Sequence, residues 1–122
     1  MGFQADLYAL LAADAGLTAL IGTRLYPNEA PNDVGVPFVI YYEYAMPREQ
    51  LMSNAVGVSK PRIQYSTYAD TYADALAVTD ALRSAVLTLP YPVVLEDERG
   101  NQDVTTGLHR RDLDVRIVHV GV

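Results

Sequence analysis

The feature that most constrains this chain is a change of period between residues 62 and 89. In the stretch Arg62-Ile63-Gln64-Tyr65-Ser66-Thr67, polar Arg62, Gln64 and Ser66 interleave with Ile63, Tyr65 and Thr67. That alternation is the signature of a half-buried strand. Beyond it, Tyr72, Leu76, Thr79, Leu82, Val86 and Leu89 recur at spacings of 4, 3, 3, 4 and 3, which places them on one stripe of a helix. Asp70 or Thr71 can accept hydrogen bonds from the first unpaired helix N–H groups, and Asp74 three residues after Thr71 resembles a capping box, so the helix is expected to start near Thr71. Pro90 cannot continue the ladder and biases Leu89 away from helical angles, so the stop is expected at Leu87 or Thr88. On this reading Leu76 is core, and Leu76→Asp is expected to unfold the domain.

The rest of the chain supplies what that strand and helix pack against. Phe3, Leu7, Leu10 and Leu11 mark a first amphipathic helix, Gly16 interrupts it, and Leu17 to Ile21 form a further turn closed by Gly22. Arg24 to Tyr26 reads as extended, and the three prolines of residues 27 to 37 mark a loop. Phe38 to Tyr44 is rich in β-branched and aromatic residues on both parities, as in a strand with neighbours on both sides. Residues 46 to 60 show no sustained period and read as a long hairpin connection, whose Leu51, Met52, Val56 and Val58 suit contact with a partner better than contact with water. Residues 92 to 95 read as a short strand leading into the acidic run Glu96-Asp97-Glu98 and a turn over residues 100 to 103. Leu108 to Val120 reads as one strand pairing antiparallel with it. The fold class expected is α+β, a mostly antiparallel four- to five-stranded sheet packed by two main helices, in a single domain spanning residues 1–122.

Composition excludes several functions. With 122 residues, half of them apolar, the chain can bury a core without cross-links. It has no cysteine, which removes disulfides, thiolate zinc sites and a Cys nucleophile. A net charge of −6 argues against a free-standing nucleic-acid binder. No apolar run reaches the ~18 residues of a membrane span, and no basic segment precedes the first apolar residues, so a soluble chain that stays in the cytoplasm where it is made is expected.

Candidate chemistry is sparse. Glu96, Asp97 and Glu98, with His109 across the turn, can supply ligands for a divalent metal or a small metal-dependent active site; the plainer reading is a solvated hairpin with Arg99, Arg110 and Arg111 as ion-pair partners. His109 and His119 lie ten residues apart on one expected strand and cannot share a metal within one chain. No Gly-rich phosphate loop or nucleophile-elbow serine occurs, so neither a cofactor nor a catalytic residue is expected. The nine tyrosines stand out. Tyrosine joins a large contact area to a polar tip, and the expected faces put Tyr65 and Tyr72 in the core and Tyr41, Tyr44 and Tyr91 at an interface.

Three stretches then carry a resemblance. LYALLAADAGLTALIGTRLYP at 7–27, PRIQYSTYADTYADALAVTDALRSAV at 61–86 and VVLEDERGNQDVTTGLHRRDLDVRI at 93–117 are similar in order and spacing to the tail completion, or tail terminator, proteins of long-tailed bacteriophages. The resemblance runs from Ala5 to Ile117 and is most specific at residues 21–27, 72–76, 95–99 and 106–110. It implies a structural role without enzyme activity: a ring of six copies in the virion that caps the tail tube, ends its polymerisation and meets the head connector. It implies as partners the chain itself, the tube protein and a head-completion protein, with DNA passing through the lumen without specific binding and no membrane. A head-side neck protein is the alternative within the same particle. Contact candidates are Tyr41, Tyr44, Leu51, Met52, Val56, Val58, Tyr91, Glu96, Asp97, Glu98, Arg99, Arg110 and Arg111.

Overall fold

The computed structural model describes residues 3–31, 34–45, 48–50, 57–59, 61–102 and 106–120. In chain order its elements are α1 (Phe3–Ala12), α2 (Ala15–Ile21), β1 (Leu25–Pro27), β2 (Phe38–Ala45), β3 (Arg48–Gln50), β4 (Gly57–Ser59), β5 (Arg62–Ala69), α3 (Tyr72–Leu87), β6 (Val93–Gln102), β7 (His109–Ile117) and β8 (His119–Val120). The alternating segment is the middle strand, β5, of a five-stranded sheet ordered β1-β2-β5-β7-β6. Among the described residues of this sheet β1–β2 is parallel, and β2–β5, β5–β7 and β6–β7 are antiparallel. The fold is therefore α+β with a mixed, mostly antiparallel sheet.

Alternation places the core on one face of that sheet. Ile63 and Tyr65 of β5, and Leu113, Val115 and Ile117 of β7, are buried together with Leu7, Leu11, Leu17 and Ile21 from the first two helices and Val78, Leu82 and Val86 from α3. Each fully buried aliphatic side chain here contributes roughly 1.5–3 kcal/mol. Gln64 and Ser66, which the alternation places on the other face, are buried as well, at 7% and 4% exposure. A central strand is covered by the side chains of both neighbours, so polarity alone does not expose it.

The helix ends fall where the capping chemistry puts them. Thr71 Oγ1 accepts a hydrogen bond from the Asp74 N–H at 3.1 Å, and the last residue of α3 is Leu87. Asp14 caps α2 in the same way, accepting from the Leu17 N–H at 2.9 Å, and Gly22 ends it with φ 61, a backbone angle at which a side chain is strained.

The stripe itself is rotated from the expected one. Ala75, Val78, Thr79, Leu82, Ala85 and Val86 are buried, Leu76 is half-buried and Tyr72 is 57% exposed. Neither Tyr72 as core nor Leu76 as the keystone holds; Val78 and Leu82 take that place. On α1, Leu7 and Leu11 are buried while Leu10 is exposed.

Three further expectations are corrected. Part of the 46–60 connection is ordered as a ladder: β3 pairs β4, and β4 pairs β8, forming a second sheet ordered β3-β4-β8. β6 does not stop at Leu95. It continues through Gly100, Asn101 and Gln102, paired with Arg111, Arg110 and His109, and shifts register between Leu95 and Asp97; ladder hydrogen bonds override a turn-rich composition. The C-terminal strand is broken at Val118, whose N–H donates to the Pro92 carbonyl at 2.9 Å, so His109 and His119 belong to different sheets.

Candidate interaction surfaces

The acidic run is divided by the pleat of β6. Glu98 pairs with Leu113 of β7, and its carboxylate accepts from Arg111 Nη2 at 2.6 Å and from Arg83 Nη2, on α3, at 2.9 Å. The hydrogen bond from Arg111 holds the Glu98 carboxyl below its ordinary range, against burial, with Arg83 acting in the same direction. Asp97 pairs with Asp114 and Arg99 with Asp112, so these four share the face away from the helices. Arg99 Nη1 donates to Asp97 and, at 2.9 Å, to Asp114, and its Nη2 lies 3.7 Å from Asp112. These bonds raise the Arg99 guanidinium further above its ordinary value, the one to Asp114 most. Asp112 also accepts from Ser66 Oγ at 2.7 Å and Arg110 Nε at 2.8 Å. Glu96 Oε1 lies 3.6 Å from Arg62 Nε.

Each carboxylate of the run thus has a guanidinium partner. His109 is not among them: it pairs with Gln102, four residues along the ladder from Glu98, or about 13 Å at the usual strand rise. Its ring instead meets Tyr72 edge-on at 6.2 Å. Among the described residues no three of His, Asp and Glu gather as metal ligands, and no helix is long and apolar enough to cross a membrane. The arrangement ties the β6–β7 hairpin to α3 through Glu98 and cross-links the opposite face through Arg99.

Apolar side chains line one groove and are otherwise exposed singly over the helices and strands. Beside α1 and β1 a groove enclosing about 730 Å³ of solvent-open space is lined by Leu7, Tyr8, Leu11, Tyr41, Ile63 and Tyr65 among others. Its rings form a row, Tyr8 to Tyr41 at 6.4 Å and Tyr41 to Tyr65 at 6.0 Å. Burial, and secondarily a neighbouring tyrosine, pushes the Tyr41 and Tyr65 phenols up, so both are neutral throughout the physiological range. On β6, Val94 and Leu95 are exposed on opposite faces of the strand, Val94 paired with Arg116 and Leu95 with Val115, while Leu87 at the end of α3, Tyr72 at its start and Tyr42 on β2 are exposed elsewhere.

The expected contact residues divide between these places. Tyr41 lines the groove; Glu96, Asp97, Glu98, Arg99, Arg110 and Arg111 form the charge network, Arg110 also lying 5.6 Å from the Tyr68 ring centre. Tyr91 is packed against the core, and Tyr44 lies where β2 shifts register between Glu43 and Ala45. Val58 is in β4, paired with Glu49 and Val120, and Leu51, Met52 and Val56 fall outside the described residues. Sequence reasoning missed Tyr8, Leu87, Val94 and Leu95. Leu87 carried a signal, since it lies off the helical stripe and yet is apolar.

The acidic run is tied up in ion pairs with arginines, and the groove beside α1 is lined mainly by apolar and aromatic side chains. The chain belongs to the family described as Tail completion protein gp17, whose model matches residues 5–120. It is a structural component of a phage tail, located in the virion. In fold it is similar to a chain of the virion of a native gene transfer agent (GTA) particle, with a TM-score of 0.71 and 24% identity over 98% of this chain and 95% of that one. The comparison with curated proteins returned no match.

Proposed function

We propose that this protein forms a ring, of six copies, that caps the finished tail tube, ends its polymerisation and joins it to the connector proteins below the head. The observation that carries the reading is the family match, which runs through all five strands of the main sheet and α3. Two further observations support it. Apolar side chains are exposed in more than one place, Tyr8 on α1, Tyr42 on β2, Val94 and Leu95 on β6, and a ring of identical subunits needs each copy to offer one surface to the next and a different one to the last. The net charge of −6 suits a channel through which DNA slides, since like charge discourages phosphate from binding. The role is non-enzymatic on this reading, and the partners are the tube protein, a head-completion protein and other copies of the chain.

Native mass spectrometry of the protein, alone and after incubation with isolated tail tubes, tests the ring. Six copies of a 13.4 kDa chain give a species of about 80 kDa. A monomer under both conditions would contradict the reading.

A further inference from the structure

Tyr8 stands where two cavities meet. The groove already described has Leu7 and Leu11 of α1 among its walls. A second, wider depression, about 1010 Å³ of solvent-open space, is lined by Ala5 and Ala9 of the same helix with Leu25 and Tyr26 of β1. The two share Tyr8, Pro27 and Tyr41. At about 100° per residue, Ala5 and Ala9 lie on one side of Tyr8 around α1 and Leu7 and Leu11 on the other, so Tyr8 is the dividing wall. Alanines keep the second depression open where larger side chains would fill it.

The opposite wall is fixed by the end of β1. Pro27 pairs with Tyr41. Asn28 then turns the chain away with a φ of 67, an angle that asparagine tolerates better than most side chains, while its N–H donates to the Tyr41 carbonyl at 2.8 Å. Tyr41 is thereby set 6.4 Å from Tyr8, with Tyr65 a further 6.0 Å on. The row extends at most about 12 Å, the reach of four residues of polyproline II at ~3.1 Å each. Burial holds the Tyr41 phenol protonated, and its O–H, the Tyr8 O–H and the Asn28 amide are donors. Glu43 is the charged residue along these walls, and no Lys, Arg or His lines either cavity among the described residues.

These features select an occupant. A strand would be held mainly through its backbone, and β1 offers it three residues ending in a proline, which has no N–H to give. A polyproline II segment makes no internal hydrogen bonds, so its carbonyls are open to side-chain donors, and its rings dock well in aromatic-lined grooves. A phosphate or carboxylate ligand would find no cation here, whereas a basic side chain would find Glu43. We propose that the two cavities on either side of Tyr8 dock an extended, proline-containing segment of another protein, with apolar residues at i and i+3 in the two cavities and a lysine or arginine against Glu43. The lining residues all belong to one chain, so the site goes beyond the ring reading and does not depend on it.

Arrays of synthetic peptides test this on the full chain. One set has Pro fixed at i and i+3, Arg following and all other positions varied; in matched sets the Arg is Glu, or both prolines are Leu. Fluorescence anisotropy then follows the best peptides in solution. The proline–arginine set is expected to bind, the glutamate set about threefold more weakly and the leucine set about tenfold more weakly. Tyr8→Ala is expected to weaken binding about tenfold or more, and Glu43→Gln to erase the preference for Arg over Glu. Should Tyr8→Ala lose its circular dichroism signal, Ala9→Lys decides: at an exposed helix position it fills the second depression with a long cation, and it is expected to weaken binding as much. No binding by any set, a preference for Glu, equal binding by the leucine peptides, or affinity unchanged in Ala9→Lys each overturns the proposal. Self-assembly lost in Tyr8→Ala and Ala9→Lys, with no peptide bound by the wild-type chain, overturns it too and makes a second copy the occupant.

Discussion

Leu82 and Leu87 offer a comparison in which chemistry is constant and only burial differs. Both are leucines of α3, five residues apart; Leu82 is 0% exposed and Leu87 is 55% exposed. Truncating Leu82 removes its transfer free energy and leaves a cavity between α3 and the sheet, so Leu82→Ala is expected to cost about 3–4 kcal/mol. For a domain of this size each kcal/mol moves Tm by roughly 3–5 °C, so the loss reads as a fall of about 9–20 °C. Leu87→Ala gives up little burial and gains slightly in helix propensity, so its cost is expected to be under about 1 kcal/mol. Thermal melts followed by circular dichroism, at a protein concentration low enough to hold the chain monomeric, measure both. Comparable losses at the two positions, or a loss under about 1 kcal/mol at Leu82, would refute the packing of α3 described here.

Three other outcomes follow from local contacts. Thr71→Ala removes the cap on α3 and is expected to cost about 1 kcal/mol, read as a lower urea midpoint with an unchanged slope; no change would mean another group caps the helix. Glu98 has its carboxyl held below the ordinary value of 4.5, so its contribution is present above that pH and is lost as pH falls through the lowered folded value. The stability gap between wild type and Glu98→Gln is therefore expected at pH 7 and is expected to close in acid, and a gap that persists unchanged would mean the pair with Arg111 and Arg83 is not its source. Because Glu96, Asp97 and Glu98 are all held by arginines, Mg, Mn, Ca and Zn ions are expected to leave Tm unchanged, and a rise abolished by Asp97→Asn would revive a metal site.

Much of this arrangement is legible in sequence where a single local rule decides. The period-two run at 62–67 and the cap at Thr71 depend on neighbours along the chain, and β5 and α3 appear accordingly. The rotation of α3 was hidden by its alanines. Residues 73, 75, 77, 81 and 85 are all Ala, so small apolar side chains extend over more than half of the helix circumference and blur the stripe, which the large Tyr72 and Leu76 then draw toward themselves. Ala75 and Ala85 are what face the core, since small side chains let a helix approach a sheet closely.

The edges of the sheet were harder to read, for a tertiary reason. Gly100, Asn101 and Gln102 signal a turn, but β7 supplies a complete ladder opposite them. The aperiodic 46–60 stretch finds its partner in β8, about sixty residues away. Tyr8 is invisible as a groove residue until Tyr41 and Tyr65 are set beside it by the β2–β5 pairing. The charged hairpin, by contrast, matches its plainer reading in part: Arg99 and Arg111 hold Asp97 and Glu98, whereas Arg110 bonds Asp112 and Glu96 takes the distant Arg62.

The role proposed for this protein is to end the tail and join it to the head. The most direct test is the tail-length distribution, by electron microscopy, in a lysate carrying an early stop codon in the gene for this chain. The account predicts overlong tubes without heads beside DNA-filled heads without tails. Joined particles with tails of normal length would contradict it.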